Sequence, residues 1–494
     1  MKTKGLNLIL IFLSLSIIFL FACKEKEEEK VEVFTLKYED SVGGVVLGEN
    51  RQEVVKGEAG EKVEALASYC YEFVSWSDGV ESVERQDIAN SNITVYPIFK
   101  KVIFEYPLLV INTKDSVAIT SKEDYVKCTV TVNSNEFSEY EIENAKAKIR
   151  GRGNSTWGMP KKPYKLKFDD KIDFLGMGKA KTFTLIANYC DKSLLRNYLA
   201  FKVAMSMSEV HYTTEIRTVE LVLNGEYVGL YNVCEQNEAK ENRVEIDTTK
   251  GDSFFVELDQ RAKESGLKEG FDYFTIDGKM YVLKHPDPED DGFTSDDCLK
   301  VQSFFNWAYK LVTTGTYEEI CQALDVESFA STYIIYELFN CVDVGFSSWY
   351  MYRDSGSKIG VGPIWDFDIS CGNCNYNDSC KRYDSLYAKA SNPWYKALLN
   401  HDEFKELVKE LLTKYQEVIT NIIIDEIDDV YNYEAYFLRN FERWKILGKY
   451  DWPNPREVYT IDTWGGQVDY LKTWLFKSLN YICKKYGVNN ENWY

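Results

Sequence analysis

The chain has 494 residues, with 58 Lys and Arg against 78 Asp and Glu, a formal net charge of −20. Such acidity argues against a nucleic-acid binder, which needs a basic surface to release phosphate counterions. Hydrophobic residues at 45% and aromatics at 15% argue against wholesale disorder, because a chain so composed can bury a large core. Twelve cysteines are too few for a small disulfide scaffold, and three histidines do not favour a multi-histidine zinc site. At about 100–200 residues per domain, the length predicts more than one domain.

Residues 1–22 read as a secretion signal. Lys2 and Lys4 precede an apolar run from Leu6 to Leu20 that is short for a membrane span. The run ends in Leu20-Phe21-Ala22-Cys23, which resembles the lipobox of bacterial lipoproteins, where the Cys thiol receives a diacylglycerol and becomes residue one. Cys23 is therefore the expected lipidation site, and buried acyl chains, at about 0.8 kcal/mol per CH₂, would hold the chain on a membrane. Cleavage removes Lys2 and Lys4 and no acidic residue, which takes the net charge from −20 to −22. Residues 23–33 read as a charged tether, because Lys24 to Lys30 contains no apolar residue. Beyond the cytoplasm disulfides become possible, but with Cys23 lipidated eleven cysteines remain, so at least one thiol is free or pairs between chains. Cys371, Cys374 and Cys380 cluster without an evident fourth ligand, which favours a local disulfide or free thiols over a zinc site.

Residues 34–101 alternate apolar and polar between glycines, the pattern of short strands. Gly43-Gly44, Gly57 with Val63 and Ala65, Phe73 to Gly79, and Thr94 to Phe99 together resemble the divergent InlB-type repeat of bacterial surface proteins. Trp76, before a Ser-Asp-Gly turn, reads as a core plug rather than a ligand-stacking ring. The module is expected to be a spacer or adhesion unit. Residues 102–494 are expected to form one larger domain, with strands from Val102 to Glu143 leading into it.

Three blocks carry the chemistry of that domain. In the first, Arg152-Gly-Asn-Ser-Thr-Trp157 turns between two lysine-rich strands, an arrangement in which backbone N–H groups and cations can meet an anion. Lys165 and Lys167 alternate and so share one strand face. On spacing alone a plain hairpin with exposed lysines is the favoured reading, but in so acidic a chain the local cluster of Arg150, Arg152, Lys161, Lys162, Lys165 and Lys167 stands out. In the second block, Asp191 reads as a helix N-cap before Leu194 to Met205, and Asn224-Gly225 predicts a tight hairpin ending at Glu235. In the third, a helix from about Val326 to Phe339, capped by Asp325, leads to Asp343, and a strand from Trp349 to Arg353 follows. Pro363-Ile-Trp-Asp-Phe-Asp368 closes the block. If it continues a strand, Asp366 and Asp368 point one way and Trp365 and Phe367 the other. Two neighbouring carboxylates are tolerable when a divalent cation lies between them and a phosphate.

Taken in order, these blocks resemble the spore-coat-protein-H (CotH) kinase family of atypical protein kinases, over roughly residues 105–485. The carrying segments are Arg152 to Trp157 with Lys162-Pro-Tyr-Lys-Leu-Lys167, Asn188 to Asp191 with Leu195-Arg-Asn197, Asn224 to Tyr231 with Glu235, Pro363 to Asp368, and Gln467 to Trp474. The resemblance implies an α+β fold, a two-lobed protein-kinase-like domain with a helical C-terminal part, behind the small β-rich module. It implies transfer of the ATP γ-phosphoryl group to Ser or Thr of a surface or periplasmic protein, with Mg²⁺ or Mn²⁺. Asp343 would be the base, and Asp366 and Asp368 the metal ligands. Arg152 with Lys165 or Lys167 would face the phosphates, with Glu235 near those cations, and Trp365 would stack on adenine or serve the core. Ser347-Ser348 stands where many members carry Asn, and Cys371 where an aromatic is common, so a pseudokinase serving as an adhesion platform is the alternative. The expected location is the outer membrane or cell surface, through the lipid anchor.

Overall fold

The computed structural model describes residues 31–67, 71–101, 106–134 and 138–489. The signal segment and Cys23 lie outside the described residues. The chain divides into two units, 1–102 and 103–494.

In the first unit, alternation along Val33–Tyr38 turns Leu36 and Tyr38 inward. This strand runs antiparallel to Arg51–Val55 and parallel to Ile93–Val95. Gly44–Leu47, Val63–Ala67 and Glu84–Arg85 form a second sheet, and Tyr71–Trp76 pairs with Pro97–Lys101. Trp76 is the core plug: it is fully buried, stands edge-on to Tyr38 and Phe73, and donates its indole N–H to the Ser82 carbonyl at 2.9 Å. Arg85 lies 5.0 Å over its ring and holds Asp78 and Asp87. A Cβ on Gly44 would meet the Leu66 carbonyl and the Phe99 ring, each at 2.4 Å, which explains the glycine there.

In the second unit, seven strands close into a barrel. The order is Val126–Asn133, Ile142–Gly151, Tyr164–Asp173, Lys179–Ile186, Glu226–Glu235, Ile216–Leu223 and Leu108–Thr113. Tyr164, Leu166 and Phe168 point into the barrel core, which leaves Lys165 and Lys167 together on the outer face. The hairpin at Asn224-Gly225 forms as expected, with both residues at positive φ (51° and 81°). A five-stranded antiparallel sheet follows, ordered Tyr273–Ile276, Lys279–His285, Phe254–Leu258, Trp349–Arg353 and Gly360–Val361. Helices pack beside it. Val326–Phe339 is buried on every side from Ser328 onward, and Asp402–Tyr431 and Trp464–Lys485 pack against it. Asp325 caps it by accepting from the Ser328 N–H at 3.3 Å.

Two local expectations are corrected. Asp191 is not the cap of the next helix, which spans Arg196–Ser206 and follows Leu195. Its carboxylate turns inward, and both it and Arg196 are fully buried. Asp191 Oδ1 accepts from Arg196 at 2.5 Å and from the Ser193 hydroxyl at 2.6 Å, and Oδ2 accepts from the Arg196 backbone N–H at 2.8 Å. Residues 362–367 form no strand, so side-chain alternation does not orient Asp366 and Asp368. Asp366 adopts φ +69°, a conformation that costs on the order of 1–3 kcal/mol in a residue with a Cβ. The ten described cysteines are all free thiols.

Removing one partner of a buried ion pair strands the other charge, at about 3–5 kcal/mol. Asp191→Ala is therefore expected to lower stability by about that amount, read as a fall in the urea midpoint. The double variant Asp191→Leu/Arg196→Met should recover much of the loss, because an apolar pair of similar volume removes both stranded charges.

Candidate active site

The charged residues of the first and third blocks meet at one cavity of about 370 Å³. From the barrel come Arg150, Arg152 and Lys165, and from the segments around the sheet come Asp343, Trp365, Asp366 and Asp368. The loop between Gly151 and Tyr164 bends sharply. Gly153 has φ +83°, and Gly151 lies so close to the Trp157 ring that a Cβ would come within 2.4 Å of it.

Burial and mutual repulsion set the acidic side. Asp343 and Asp368 are both held well above the usual carboxylate range, first by desolvation and then by the charge of Asp366. Asp366 accepts from the Ser348 hydroxyl at 3.2 Å, so Ser348, itself at φ +58°, touches one of the paired carboxylates. The Cys190 thiol donates to Asp368 at 3.3 Å. Arg261 lies among these acids, and its attraction works against the rise at Asp343.

The loop bearing Asp366 and Asp368 is positioned by the second block. Asn197 accepts from the Phe367 N–H at 2.8 Å, and Arg196 donates to the Ser370 carbonyl at 3.0 Å. Asn373 donates to the Asp368 carbonyl at 2.8 Å and to that of Cys190 at 3.0 Å, and Asn454 binds both Cys190 and Asn373 at 2.7 Å. Asn188, Cys190, Asp191, Arg196 and Asn197 thus act as a buried bracket for the acidic loop.

The basic cluster of the first block is divided by the fold. Arg150 approaches Glu123 at 3.7 Å, and Arg152 lies 5.7 Å over the Trp365 ring. Lys165 lines the cavity, no carboxylate among the described residues is bonded to it, and burial, helped by Arg150, brings it down to about 8. Lys167, one register further along, does not line the cavity. Lys161 is fully buried and donates to Asn440 at 2.9 Å and to the Leu230 carbonyl, while Lys162 donates to the Trp157 carbonyl. Glu235 does not pair with Arg152 or Lys165. Its partner is the buried Arg243, and burial pushes its carboxyl up to about 7. Trp365 is 6% exposed and stacked on Phe201 at 5.5 Å with Arg152 over the ring, so most of it is packed in the core although it lines the cavity.

Several cavity residues carry no sequence motif: Glu257, Asp259, Arg261, Lys284 and Trp452. Glu257 pairs with Lys284 at 2.8 Å across neighbouring strands, and Arg261 with Asp259 at 3.1 Å. The one signal for Glu257, Asp259 and Arg261 is a run of charges at the end of the apolar strand Phe254–Leu258, which is common at strand ends. Among the described residues, no group of three or more His, Cys, Asp or Glu side chains is placed to hold a metal by itself. Asp366 and Asp368 form a two-carboxylate donor set, and Mg²⁺ commonly takes one or two carboxylates with phosphate oxygens and water for the rest.

The family model described as CotH kinase protein matches residues 149–482. No curated protein matches the chain.

Two outcomes follow from the charges. Asp343 and Asp368 have folded values above the unfolded one, so their contribution to stability is present at low pH and lost as pH rises through those folded values. Between about pH 4, the ordinary Asp value, and neutrality the melting temperature of Asp366→Asn should fall less steeply than that of the native chain. Lys165 holds a larger share of free amine near pH 8 than exposed lysines, whose usual value is about 10.4. An amine-directed acylating probe, read by peptide mass spectrometry, should therefore modify Lys165 several-fold faster, and inorganic triphosphate should protect it.

Proposed function

The chain belongs to the CotH kinase protein family, and from that premise we propose that it is a lipid-anchored, extracytoplasmic atypical protein kinase acting on Ser or Thr of surface proteins. The observation that carries the reading is the meeting of Arg152 and Lys165 with Asp343, Asp366 and Asp368 at one cavity. Phosphoryl transfer asks a protein mainly for positioning and charge neutralisation, and a cavity with cations facing paired carboxylates supplies both. On this reading the barrel and the sheet with its helices are the two lobes of a kinase-like domain, with the cavity between them.

The donor set fits a divalent cation. Burial and the charge of Asp366 raise the cost of ionising Asp368, and a dication, Mg²⁺ or Mn²⁺, would relieve it. When bound, the ion would neutralise phosphate charge. Lys165, which lines the cavity, would reach the phosphates from the barrel. Arg152 sits beside it, held against Trp365. Asp343 accepts the proton of the acceptor hydroxyl. Burial and the charge of Asp366 raise its proton affinity, and added positive charge in the cavity would lower it again. The bond from the γ-phosphorus to the bridging oxygen breaks, a new bond to the hydroxyl oxygen forms, and ADP leaves with the bridging electrons. Glu235, Lys167 and Trp365 have no direct role in this scheme.

Export and anchoring rest on residues 1–30, with Cys23 as the lipidated residue. Among the described residues no helix is long and apolar enough to cross a membrane. The first unit would act as a spacer or adhesion module of InlB type, consistent with its small buried core around Trp76. A second reading, a nucleotide-free adhesion platform, is favoured by the pairing of Glu235 with Arg243 and not with a cation of the cavity.

With [γ-³²P]ATP and Mn²⁺, the full chain in detergent should label itself or an added acidic protein. Asp366→Ala and Lys165→Ala should each lower the rate by about 10²-fold or more. Equal labelling by Asp366→Ala would refute the catalytic assignment. No labelling together with no nucleotide-induced shift in melting temperature would favour the adhesion platform.

A further inference from the structure

Resting on the kinase reading, we propose that Arg261 is a further catalytic residue, the cation that contacts the γ-phosphoryl group during transfer and so lets the site distinguish ATP from ADP. Three arginines line the cavity, and their partners differ. Arg150 is drawn to Glu123 and the Tyr125 ring, and Arg152 lies over Trp365. Arg261 lines the cavity together with Asp343 and Asp366 and interacts electrostatically with both. In the proposed reaction Asp343 faces the acceptor hydroxyl and Asp366 the metal-bound phosphate. The group that lies between those two is the phosphoryl in transit, and Arg261 is the cation placed beside both.

Its guanidinium is braced for that task. Nε donates to Asp259 at 3.1 Å, and the plane lies on Phe346 at 5.5 Å. With its carboxamide oxygen toward Arg261, Asn154 accepts from both terminal nitrogens, at 3.3 and 3.2 Å. A guanidinium has five N–H donors, so these bonds leave donors over on the terminal nitrogens, and the geometry suits two phosphoryl oxygens. No ion pair joins Arg261 to Asp343 or Asp366 among the described residues, so those donors are not spent on the acids beside them. Asn154 belongs to the Gly153-containing turn from the barrel, while Phe346 and Asp343 belong to the segment before Trp349–Arg353. Arg261 therefore touches both walls of the cavity. Its brace through Asp259 and Phe346 is independent of the nucleotide, so the cation needs little reorganisation when phosphate arrives.

The test is binding and single-turnover transfer with the full chain in detergent, with Mn²⁺ present. Calorimetry on the native chain should show ATP bound about tenfold or more tighter than ADP, as a charge-assisted bidentate contact to the third phosphate requires. Arg261→Ala should bring the two affinities within about threefold and slow transfer at saturating ATP by about 10²–10³-fold, with ADP affinity unchanged. Arg261→Lys keeps a charge but not the fork, so it should recover only part of the rate, and it serves as the informative variant if Arg261→Ala does not fold. An unchanged ATP to ADP ratio in a folded Arg261 variant overturns the proposal while leaving the kinase reading intact. A native chain that binds neither nucleotide overturns the kinase reading, and this inference with it.

Discussion

The buried pair of Asp191 and Arg196 is the constraint on which the acidic half of the site depends. Each is fully inaccessible, and a buried charge is tolerable only when it is paired. The arrangement couples two distant parts of the chain, because Arg196 also holds the Ser370 carbonyl and its neighbour Asn197 holds the Phe367 N–H. Asp368 lies between those two anchors. Asn373 and Asn454 complete the bracket on the Cys190 side. A loop of irregular backbone inside a protein must have its N–H and C=O groups met by other partners, and here side chains of the second block meet them.

That support explains how Asp366 is held at positive φ and beside other carboxylates. Both the backbone conformation and the crowding of acids are unfavourable alone, and both persist because the surroundings leave no alternative. Strain and raised proton affinity at one place are what a site awaiting added positive charge would show. The basic wall across the cavity is built differently. Arg152 and Arg261 are held against the flat faces of Trp365 and Phe346, while Lys165 lines the cavity from a barrel strand.

Much of the local structure was legible in the residues. The positive-φ Asn-Gly hairpin, the Asp325-capped helix and the strand Trp349–Arg353 follow from turn chemistry, capping and β-branched or aromatic runs. Trp76 as a plug followed from its place before a turn. Local patterns misled where long-range contacts compete. Asp191 has an N-cap's residue type, but Leu195 holds the cap position; one Asp191 oxygen reaches the first N–H of the helix and the other is taken by the buried guanidinium of the same residue. Trp365 sits in a motif but fills the core. Glu235 was expected near the phosphate-facing cations, and Arg243, eight residues on, takes it instead.

By itself the sequence determined which residue types were available for the chemistry and the strand and helix units that carry them, because periodicity, capping and turn propensity are properties of neighbouring residues. It also marked the three blocks by their composition and order. Only the tertiary structure decided which of the basic residues face the carboxylates. Lys165 and Lys167 are equivalent by alternation, and only closure of the barrel beside the sheet puts one of them at the cavity. The same holds for Arg261 and Asp259, which no local pattern distinguishes from a charged strand end. Their role comes from residues more than 80 positions later and more than 100 positions earlier in the chain, brought to one place by packing.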